Sequence, residues 1–335
     1  MAKITYTQAG VDIEKEEYAI KGIKRLLEKT FRFRKGRIGT VMQDIGPFAN
    51  IIDIGDYAIG ICMDGVGSKV LVAQELKRYD TIGIDLVAMN VNDLICFGIE
   101  PVALVDYIAT ERIHPDIIKD IMHGIYKGAK QADIAVVGGE LATLPDIIKG
   151  VGADGFDLAG AAIGVVKKDK IINGGKIDVG DVVLGIRSSG IHSNGLTLAR
   201  KVLPKSMWIE LLIPTRIYVK PVLELLRRFD IHGMANITGG GFRNLLRVTK
   251  FGFLLDNMPD IPMIFKSIQE NSKISDTEMY KTFNMGVGFC IILNKNDAER
   301  ILLDYCDKFD IRKIGSVIER HVVRIKTNRD WIEIE

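Results

Sequence analysis

The feature that most constrains the fold is a long apolar segment, residues 84–97, with a few polar side chains inside it. Its length and the Gly98 that follows it predict a helix, and a helix that is apolar on all sides is buried. The polar members are Asp85, Asn90, Asn92 and Asp93. Charges in a buried helix cost several kcal/mol unless they are paired or bind a metal ion. Any fold for this chain must therefore supply partners for these side chains.

Helical geometry separates these polar groups into two directions. At about 100° per residue, Asp85 and Asn92 lie on nearly one line, and Asp93 lies about 80° around the helix from it. A role at the helix N-terminus, favoured by the helix dipole, accounts for Asp85. It does not account for Asn92 and Asp93 in mid-helix, so we predict that Asp93 binds a ligand or a metal ion.

Strand-like and helix-like segments alternate along the rest of the chain. Strands are expected at residues 57–62, 102–109, 134–137, 158–166, 182–187, 286–293 and 322–326, and further helices at 117–132, 195–203 and 244–248. Residues 3–37 are expected to form a lysine-rich helix and a basic loop. Residues 167–181 combine charges with turn-forming glycines, which predicts a boundary there. We therefore expect two domains, residues 1–167 and 168–335, in an α/β and α+β fold.

Composition excludes several kinds of partner. The 335 residues include 45 Lys and Arg against 43 Asp and Glu, a net charge of +2, which gives no general attraction to nucleic acid. No apolar run approaches the roughly 20 residues that cross a bilayer, and residues 1–10 lack the apolar core of a secretory signal. The four cysteines show no CxxC spacing and are expected to be buried thiols. A cytoplasmic protein without membrane or nucleic-acid partners is predicted.

Carboxylates near the ends of predicted strands indicate metal-assisted chemistry. Asp64 follows the strand at 57–62, and Glu140 follows the strand at 134–137 after two glycines. Sheets of this class bind ligands at the carboxyl ends of their strands. Together with Asp93 these side chains form a candidate oxygen cage for Mg²⁺, which prefers one or two carboxylates, water and phosphate oxygens.

The glycines near Asp64 allow a ligand to approach the backbone closely, and Lys69 can neutralise phosphate. The GxxxxGK[ST] pattern of a P-loop is absent, and a tight turn with a surface lysine is the alternative explanation. In the second half, residues 188–195 and 238–241 are glycine-rich loops before helices, where free N–H groups bind anions. His192, in the first of these loops, either stabilises charge and donates a proton or simply packs. Phosphoryl transfer from a nucleotide to an unknown acceptor fits these features.

Many of these stretches, in this order, resemble the phosphoribosylformylglycinamidine cyclo-ligase (AIR synthetase) family of ATP-dependent purine and selenophosphate synthetases. The matching residues are 9–13, 64–67, 80–89, 91–94, 137–140, 157–160, 188–190, 192–195, 214–220, 238–242 and 282–288. The resemblance implies that formylglycinamidine ribonucleotide (FGAM) and ATP give aminoimidazole ribonucleotide (AIR), ADP and phosphate. It also implies a homodimer, in which the N-terminal α/β sheets of two subunits form a barrel and each C-terminal domain is α+β.

The resemblance also implies roles for individual residues. ATP and Mg²⁺ are expected at Asp64, Gly65, Gly67, Lys69, Asn92, Asp93, Gly139 and Glu140, with Asp64, Asp93 and Glu140 holding the metal. His192, Asn194 and Asp93 are expected to be catalytic, near the transferring phosphoryl group. The phosphate of FGAM is expected at Ser188, Ser189, Gly190, Ser193, Gly239, Gly240 and Gly241.

The chain departs from the family pattern at Met63 and Leu141, where threonine is usual. Two other functions stay open at this stage: a related kinase resembling thiamine-monophosphate kinase, and a nucleotide-binding regulator without turnover. Such a kinase usually lacks the sequence of residues 192–194 followed by 214–216, and a regulator would not require the carboxylates and His192 together. ATP consumption that depends on FGAM distinguishes the three.

Overall fold

A computed structural model describes residues 13–152 and 154–335 and contains two mixed sheets with helices packed on them. The first sheet has the order β1-β2-β3-β6-β4-β5 and is antiparallel except for the parallel pair β4 and β5. Its strands are β1 Thr40–Val41, β2 Asn50–Asp53, β3 Tyr57–Gly65, β4 Glu100–Thr110, β5 Ala135–Thr143 and β6 Phe156–Lys167. The helices of this half are α1 Ile13–Leu27, α2 Lys69–Leu76, α3 Ile82–Ile95 and α4 Pro115–Ala132.

The second sheet has the order β13-β12-β9-β11-β7-β10-β8, with β9 and β12 parallel. Its strands are β7 Val182–Arg187, β8 Ile231–Asn236, β9 Gly252–Leu255, β10 Val287–Leu293, β11 Ile311–Ile318, β12 Val323–Lys326 and β13 Trp331–Ile334. Its helices are α5 Leu196–Val202, α6 Trp208–Leu211, α7 Val219–Leu226, α8 Met263–Ser272, α9 Asp276–Thr282 and α10 Lys295–Phe309. Short 3₁₀ helices occupy Glu28–Phe33, Lys168–Lys170, Lys205–Met207 and Gly241–Arg247. Among the described residues, no helix has the length and apolarity needed to cross a membrane.

Most predicted elements lie where the sequence analysis expects them, and β5 is the main exception. The strand continues to Thr143, so that Gly139 and Glu140 lie within it instead of after it. β5 is an exposed edge strand, not a buried one. A Cβ on Gly139 would lie 2.4 Å from Oδ1 of Asp106, so this glycine makes room for a carboxylate on β4. The helix expected at 244–248 is the 3₁₀ helix Gly241–Arg247, and residues 3–12 of the expected opening helix lie outside the described part.

Helix α3 occupies the centre of the molecule, as its apolar sequence predicts. Nearly all of its residues are buried. One side packs on β3, β6 and α4, and another side meets α7 and β8 of the second half. Glycines allow α3 and α4 to cross closely, since a Cβ on Gly83 would lie 2.3 Å from the backbone nitrogen of Ile125. The helix therefore contacts both halves, and its polar side chains face whatever the second half presents.

The close crossing of α3 and α4 leads to a test of packing. We expect Gly83→Ala to lower the free energy of unfolding by about 1–3 kcal/mol, because backbone atoms must move to admit the methyl group. Gly22→Ala, also within a helix, is the matched control, since nothing lies within 4 Å of a Cβ there. Urea unfolding of both variants measures the difference. Equal stability of the two variants would show that the helices do not cross this closely.

Candidate functional site

The polar side chains of α3 bond to the second half of the chain. Asp85 accepts hydrogen bonds from the backbone N–H (2.7 Å) and the hydroxyl (2.6 Å) of Thr215. Asn92 donates to the carbonyl of Arg216 (2.8 Å) and accepts from the N–H of Tyr218 (2.9 Å). The side of α3 that carries Asp85 and Asn92 is therefore the contact between the two halves, which we call the seam. Asp85 does not cap the helix, and both groups of the Asn92 amide are occupied without a ligand.

Lys69 and Asp85 form an ion pair in which both side chains are 0 % exposed, with Nζ and Oδ1 2.9 Å apart. The ammonium group also donates to the carbonyls of His192 (3.2 Å) and Ile213 (2.7 Å). Burial lowers the pKa of Lys69, and the charge of Asp85 opposes that shift. An ammonium group has three donors, and all three have acceptors here. The sequence predicts that Lys69 contacts phosphate. In the structure its ammonium group instead holds two loops of the second half in place.

Asp64 lies close enough to Asp93 to raise the pKa of its carboxyl group. Burial raises the pKa of Asp93 to about 7, and the charge of Asp64 adds to this effect. A hydrogen bond from the Asn236 amide (2.8 Å) and the charge of Arg247 act in the opposite direction. Burial also raises the pKa of Asp64, against a hydrogen bond from the N–H of Gly65. Burial disfavours the negative charge of both carboxylates. A bound cation would stabilise both charges, so the pair is suited to a metal ion.

Glu140 does not join this pair within one chain. The β-sheet register aligns Asp64 with Gly160 and Asp106, whereas it aligns Glu140 with Tyr107 of β4. Adjacent positions along a strand face opposite sides of the sheet, so the Glu140 side chain is on the other side from Asp64. Among residues 13–152 and 154–335, no three His, Cys, Asp or Glu side chains form a group that could hold a metal ion. The expected three-carboxylate cage is therefore not assembled by a single copy of the chain.

The two glycine-rich loops of the second half lie side by side. A Cβ on Gly239 would lie 3.2 Å from Oδ1 of Asn194. Gly240 has a φ of +92°, a conformation that favours glycine. The Nδ2 group of Asn194 and the hydroxyl of Ser188 are buried and have no hydrogen-bond partner in the described structure. Unpaired buried polar groups are costly, so these two are available for the oxygens of a ligand.

Other members of the predicted anion site have protein partners. The hydroxyl of Ser189 donates to the carbonyl of Pro214 (2.5 Å), and the hydroxyl of Ser193 bonds to Oδ1 of Asp85 (3.1 Å). The carbonyl of Gly190 accepts a hydrogen bond from the Asn284 amide. Gly190 and Ser193 can therefore offer an anion mainly their backbone N–H groups, whereas the N–H of Ser189 already donates to the ring of His192. Gly241 packs against the carbonyl of Tyr280, which leaves no room for a side chain.

His192 is buried and electrically neutral. Burial lowers its pKa to about 3, and the charges of Lys69 and Arg216 act in the same direction. Its Nε2 accepts a hydrogen bond from the N–H of Ser189 (3.3 Å), which leaves the proton on Nδ1. Nδ1 is buried without a partner in the described structure. The ring can thus donate a hydrogen bond to a ligand, but it is not an imidazolium acid near neutral pH.

Some residues of the site were not found from the sequence. Thr215 completes the bonds to Asp85, Asn236 bonds to Asp93, and Arg247 favours the charged form of Asp93. Asn236 ends a strand that the sequence analysis did not predict. Arg247 lies six residues after the last glycine of the second loop. A positively charged residue so close to a predicted anion-binding loop could have been predicted to belong to the site.

Two family models match the two halves of this chain. The family model "AIR synthase related protein, N-terminal domain" matches residues 47–166, and the corresponding C-terminal domain model matches residues 178–328. A phosphoribosylformylglycinamidine cyclo-ligase of Pyrococcus furiosus is 52% identical over 95% of this chain and 96% of its own length. One from Methanococcus maripaludis is 45% identical over 99% of this chain and 97% of its own.

Solved structures share the fold at low sequence identity. AaThiL complexed with AMPPCP and TMP matches with a TM-score of 0.66 at 15% identity, over 95% of this chain and 96% of that one. The hydrogenase maturation protein HypE of E. coli matches with a TM-score of 0.63 at 17% identity, over 82% and 84%. T. maritima PurL complexed with ADP gives 0.59 at 17%, over 88% of this chain and 46% of that one.

The buried ion pair leads to a test of the seam. We expect Asp85→Asn to lower the free energy of unfolding by about 3–5 kcal/mol, because it leaves the ammonium of Lys69 buried without a counter-charge. Thr215→Val, which removes one hydrogen bond to the same oxygen, should cost about 1–3 kcal/mol. The double variant Lys69→Met/Asp85→Leu should recover part of the loss. Urea unfolding measures the stability of the three variants. An Asp85→Asn variant that is no less stable than Thr215→Val would contradict the proposed importance of the buried ion pair.

Proposed function

This chain belongs to the phosphoribosylformylglycinamidine cyclo-ligase family, and we propose that the seam between its halves is where it carries out the family's reaction. The enzyme is an AIR synthetase: it uses ATP to close the imidazole ring of FGAM in purine biosynthesis. One observation supports this location above all. Asp93 of the first half accepts a hydrogen bond from Asn236 (2.8 Å), which ends β8 just before the glycine-rich loop 238–241. That loop lies against Asn194, whose Nδ2 has no partner in the described structure.

Ring closure needs an activated formyl oxygen. ATP transfers its terminal phosphoryl group to that oxygen, and the O–P bond forms as the bond to ADP breaks. The ribosyl nitrogen then attacks the activated carbon, and phosphate leaves with the former formyl oxygen. Such chemistry depends on positioning and on neutralising charge more than on a protein nucleophile. The proposed site accordingly contains carboxylates, amides and backbone N–H groups.

Asp64 and Asp93 fit a magnesium ion that arrives with the nucleotide. Two carboxylates are as many as Mg²⁺ commonly takes from a protein when phosphate oxygens and water complete its shell. Their raised pKa values indicate that each would gain from a nearby cation. When bound, Mg²⁺ neutralises the charge of the ATP phosphates. We assign Gly65 and Gly67, which follow Asp64, to the backbone contacts with those phosphates.

The loops of the second half supply donors to the other reactant. Nδ2 of Asn194 and Nδ1 of His192 are assigned to hydrogen bonds with the transferring phosphoryl group or the formyl oxygen. The Ser188 hydroxyl and the backbone N–H groups of Gly239 and Gly240 are assigned to the phosphate of FGAM. A neutral histidine suits this arrangement, because it donates a hydrogen bond without placing a second buried charge near Lys69.

We also propose that the enzyme is a homodimer formed through the open face of its first sheet. Exposed apolar side chains of that face, each 37 to 72% exposed, include Tyr57, Ile61, Met63, Val105, Tyr107 and Ile163. Cross-strand pairing places Ile61 beside Ile163, and these side chains stay exposed within the part of the chain that the structure describes. The same face carries Glu140, so the partner's sheet would bring new neighbours to that carboxylate. A dimeric barrel made of two such sheets would bury the apolar face.

The activity and the metal site are tested together. Wild-type protein with FGAM and Mg-ATP should form AIR, detected by diazo coupling, and an equal amount of ADP. Asp93→Asn should lower turnover by about 100-fold or more. Because the pKa of Asp93 is raised from 3.8 to about 7 on folding, this carboxyl lowers the stability of the ligand-free fold progressively between these two pH values, and the full loss is present at pH 8. The variant should therefore be at least as stable as the wild type at pH 8, although it is nearly inactive.

The matched control is Asp304→Asn, an exposed carboxylate on α10, which should leave both properties unchanged. Full activity of Asp93→Asn would remove the residue from the site. ADP formation without AIR would move the assignment to another phosphoryl acceptor, with thiamine monophosphate tried next. Neither product from the wild type would favour a nucleotide-binding regulator without turnover.

The dimer proposal has its own measurement. Light scattering after size-exclusion chromatography should give twice the chain mass of 37.2 kDa for the wild type. Met63→Asp/Ile163→Asp should give the single-chain mass, because carboxylates on an apolar interface lose their hydration when it closes. Leu303→Asp is the control, since Leu303 is exposed on α10 in the other half. A double variant that stays dimeric would rule out this face as the interface.

A further inference from the structure

A cavity of about 740 Å³ lies at the junction of the two halves, apart from the proposed active site. Its walls come from the starts of β3 and β4, the end of β6, the connecting residues 167–176 and the end of α7. We call this the junction cavity. The connecting residues contain the charge run 167–170, which the sequence analysis noted only as a boundary. Its volume falls within the roughly 300–1,000 Å³ of small-molecule sites, which commonly lie between domains.

The junction cavity contains cations that the protein leaves unpaired. Lys167, Lys170 and Arg227 line it, and none of them has an ion pair or side-chain hydrogen bond in the described structure. Lys176, also in the wall, differs because its Nζ lies 2.7 Å from Oδ1 of Asp230. Three unpaired cations, from the end of β6, the connecting segment and the residue after α7, therefore line one cavity. Such an arrangement attracts an anion, and several unpaired N–H donors around one cavity suit a phosphate group.

The remaining walls are not those of a simple phosphate site. The carboxylates of Glu100 and Asp169 also line the cavity and have no ion-pair partner in the described structure. Half-buried apolar side chains form another wall: Val165, Ile171, Ile172, Leu223 and Leu226. A bare inorganic anion would use the cations but not the carboxylates or the apolar wall. The ligand that uses all three has a phosphate, hydroxyl or amine donors, and a flat apolar ring.

We propose that the junction cavity binds a nucleoside monophosphate, separately from the ATP and FGAM of the active site. The phosphate contacts the lysines and Arg227, ribose hydroxyls or a base amine donate to the carboxylates, and the base packs on the apolar wall. Because residues of both halves line the cavity, one ligand contacts both. Occupancy of the cavity would thus favour one arrangement of the halves over others.

Calorimetric titration of the full-length protein with AMP tests the proposal. We expect AMP binding to weaken at least tenfold in Lys170→Glu/Arg227→Glu, because repulsion replaces two phosphate contacts. Lys313→Glu/Lys326→Glu, with the same change of charge on exposed residues elsewhere, should bind AMP like the wild type. Asp93→Asn, which alters the proposed active site, should also leave this binding unchanged. AIR formation by the junction variant in the absence of AMP should equal that of the wild type.

Three outcomes would overturn the proposal. AMP binding that is lost in Asp93→Asn but kept in the junction variant would assign the nucleotide to the active site. Inorganic phosphate that displaces AMP at equal concentration would show a site for the anion alone. No heat of binding and no thermal stabilisation at millimolar AMP would show that the cavity takes no such ligand.

Discussion

One carboxylate oxygen joins the two halves of this enzyme. Oδ1 of Asp85 accepts hydrogen bonds from Nζ of Lys69, from the N–H and hydroxyl of Thr215, and from the hydroxyl of Ser193. Because Lys69 and Asp85 are fully buried, each of these bonds is strong, and a polar group left without a partner is costly. A seam of apolar side chains would hold the halves together at less cost, but it would permit several alignments. Hydrogen bonds that meet at a single oxygen permit only one alignment of the halves. We therefore interpret the buried ion pair of Lys69 and Asp85 as the interaction that fixes this alignment.

That alignment matters for the proposed site, to which the two halves contribute different chemical groups. The first half carries the carboxylates Asp64 and Asp93, and the second carries donors on loops that Lys69 and Asp85 hold. Phosphoryl transfer is sensitive to small displacements, since its rate comes mainly from placing the reactants and their charges. Burial also selects the charge states. Asp93 and His192 are both shifted toward their neutral forms, and Lys69 and Asp85 form the fully buried ion pair beside them.

How much of this was predictable depends on how far apart the interacting residues lie in the sequence. The burial of α3 and its need for polar partners follow from one segment, and the structure confirms both. The sequence of α3 does not identify these partners, because Thr215 and Asn236 lie more than 100 residues away. The helical period gives only the direction in which each polar side chain points. Asp85 and Lys69 were therefore explained locally, as a helix-end charge and a phosphate contact. The end of β5 was misplaced for a related reason: two glycines usually end a strand, but here Gly139 leaves room for the side chain of Asp106.

The position of Glu140 connects the site with assembly. In a single chain Glu140 lies on the opposite face of the sheet from Asp64, with two strands between β3 and β5, although both residues lie near the same end of strands that run in the same direction. Met63, one of the departures from the family pattern, faces the same side as Glu140 and is turned away from Asp64. Its replacement of threonine thus changes the open apolar face and not the carboxylate pair. If that face is covered by a second copy, Glu140 and Met63 act at the interface, while Asp64 and Asp93 act within each chain.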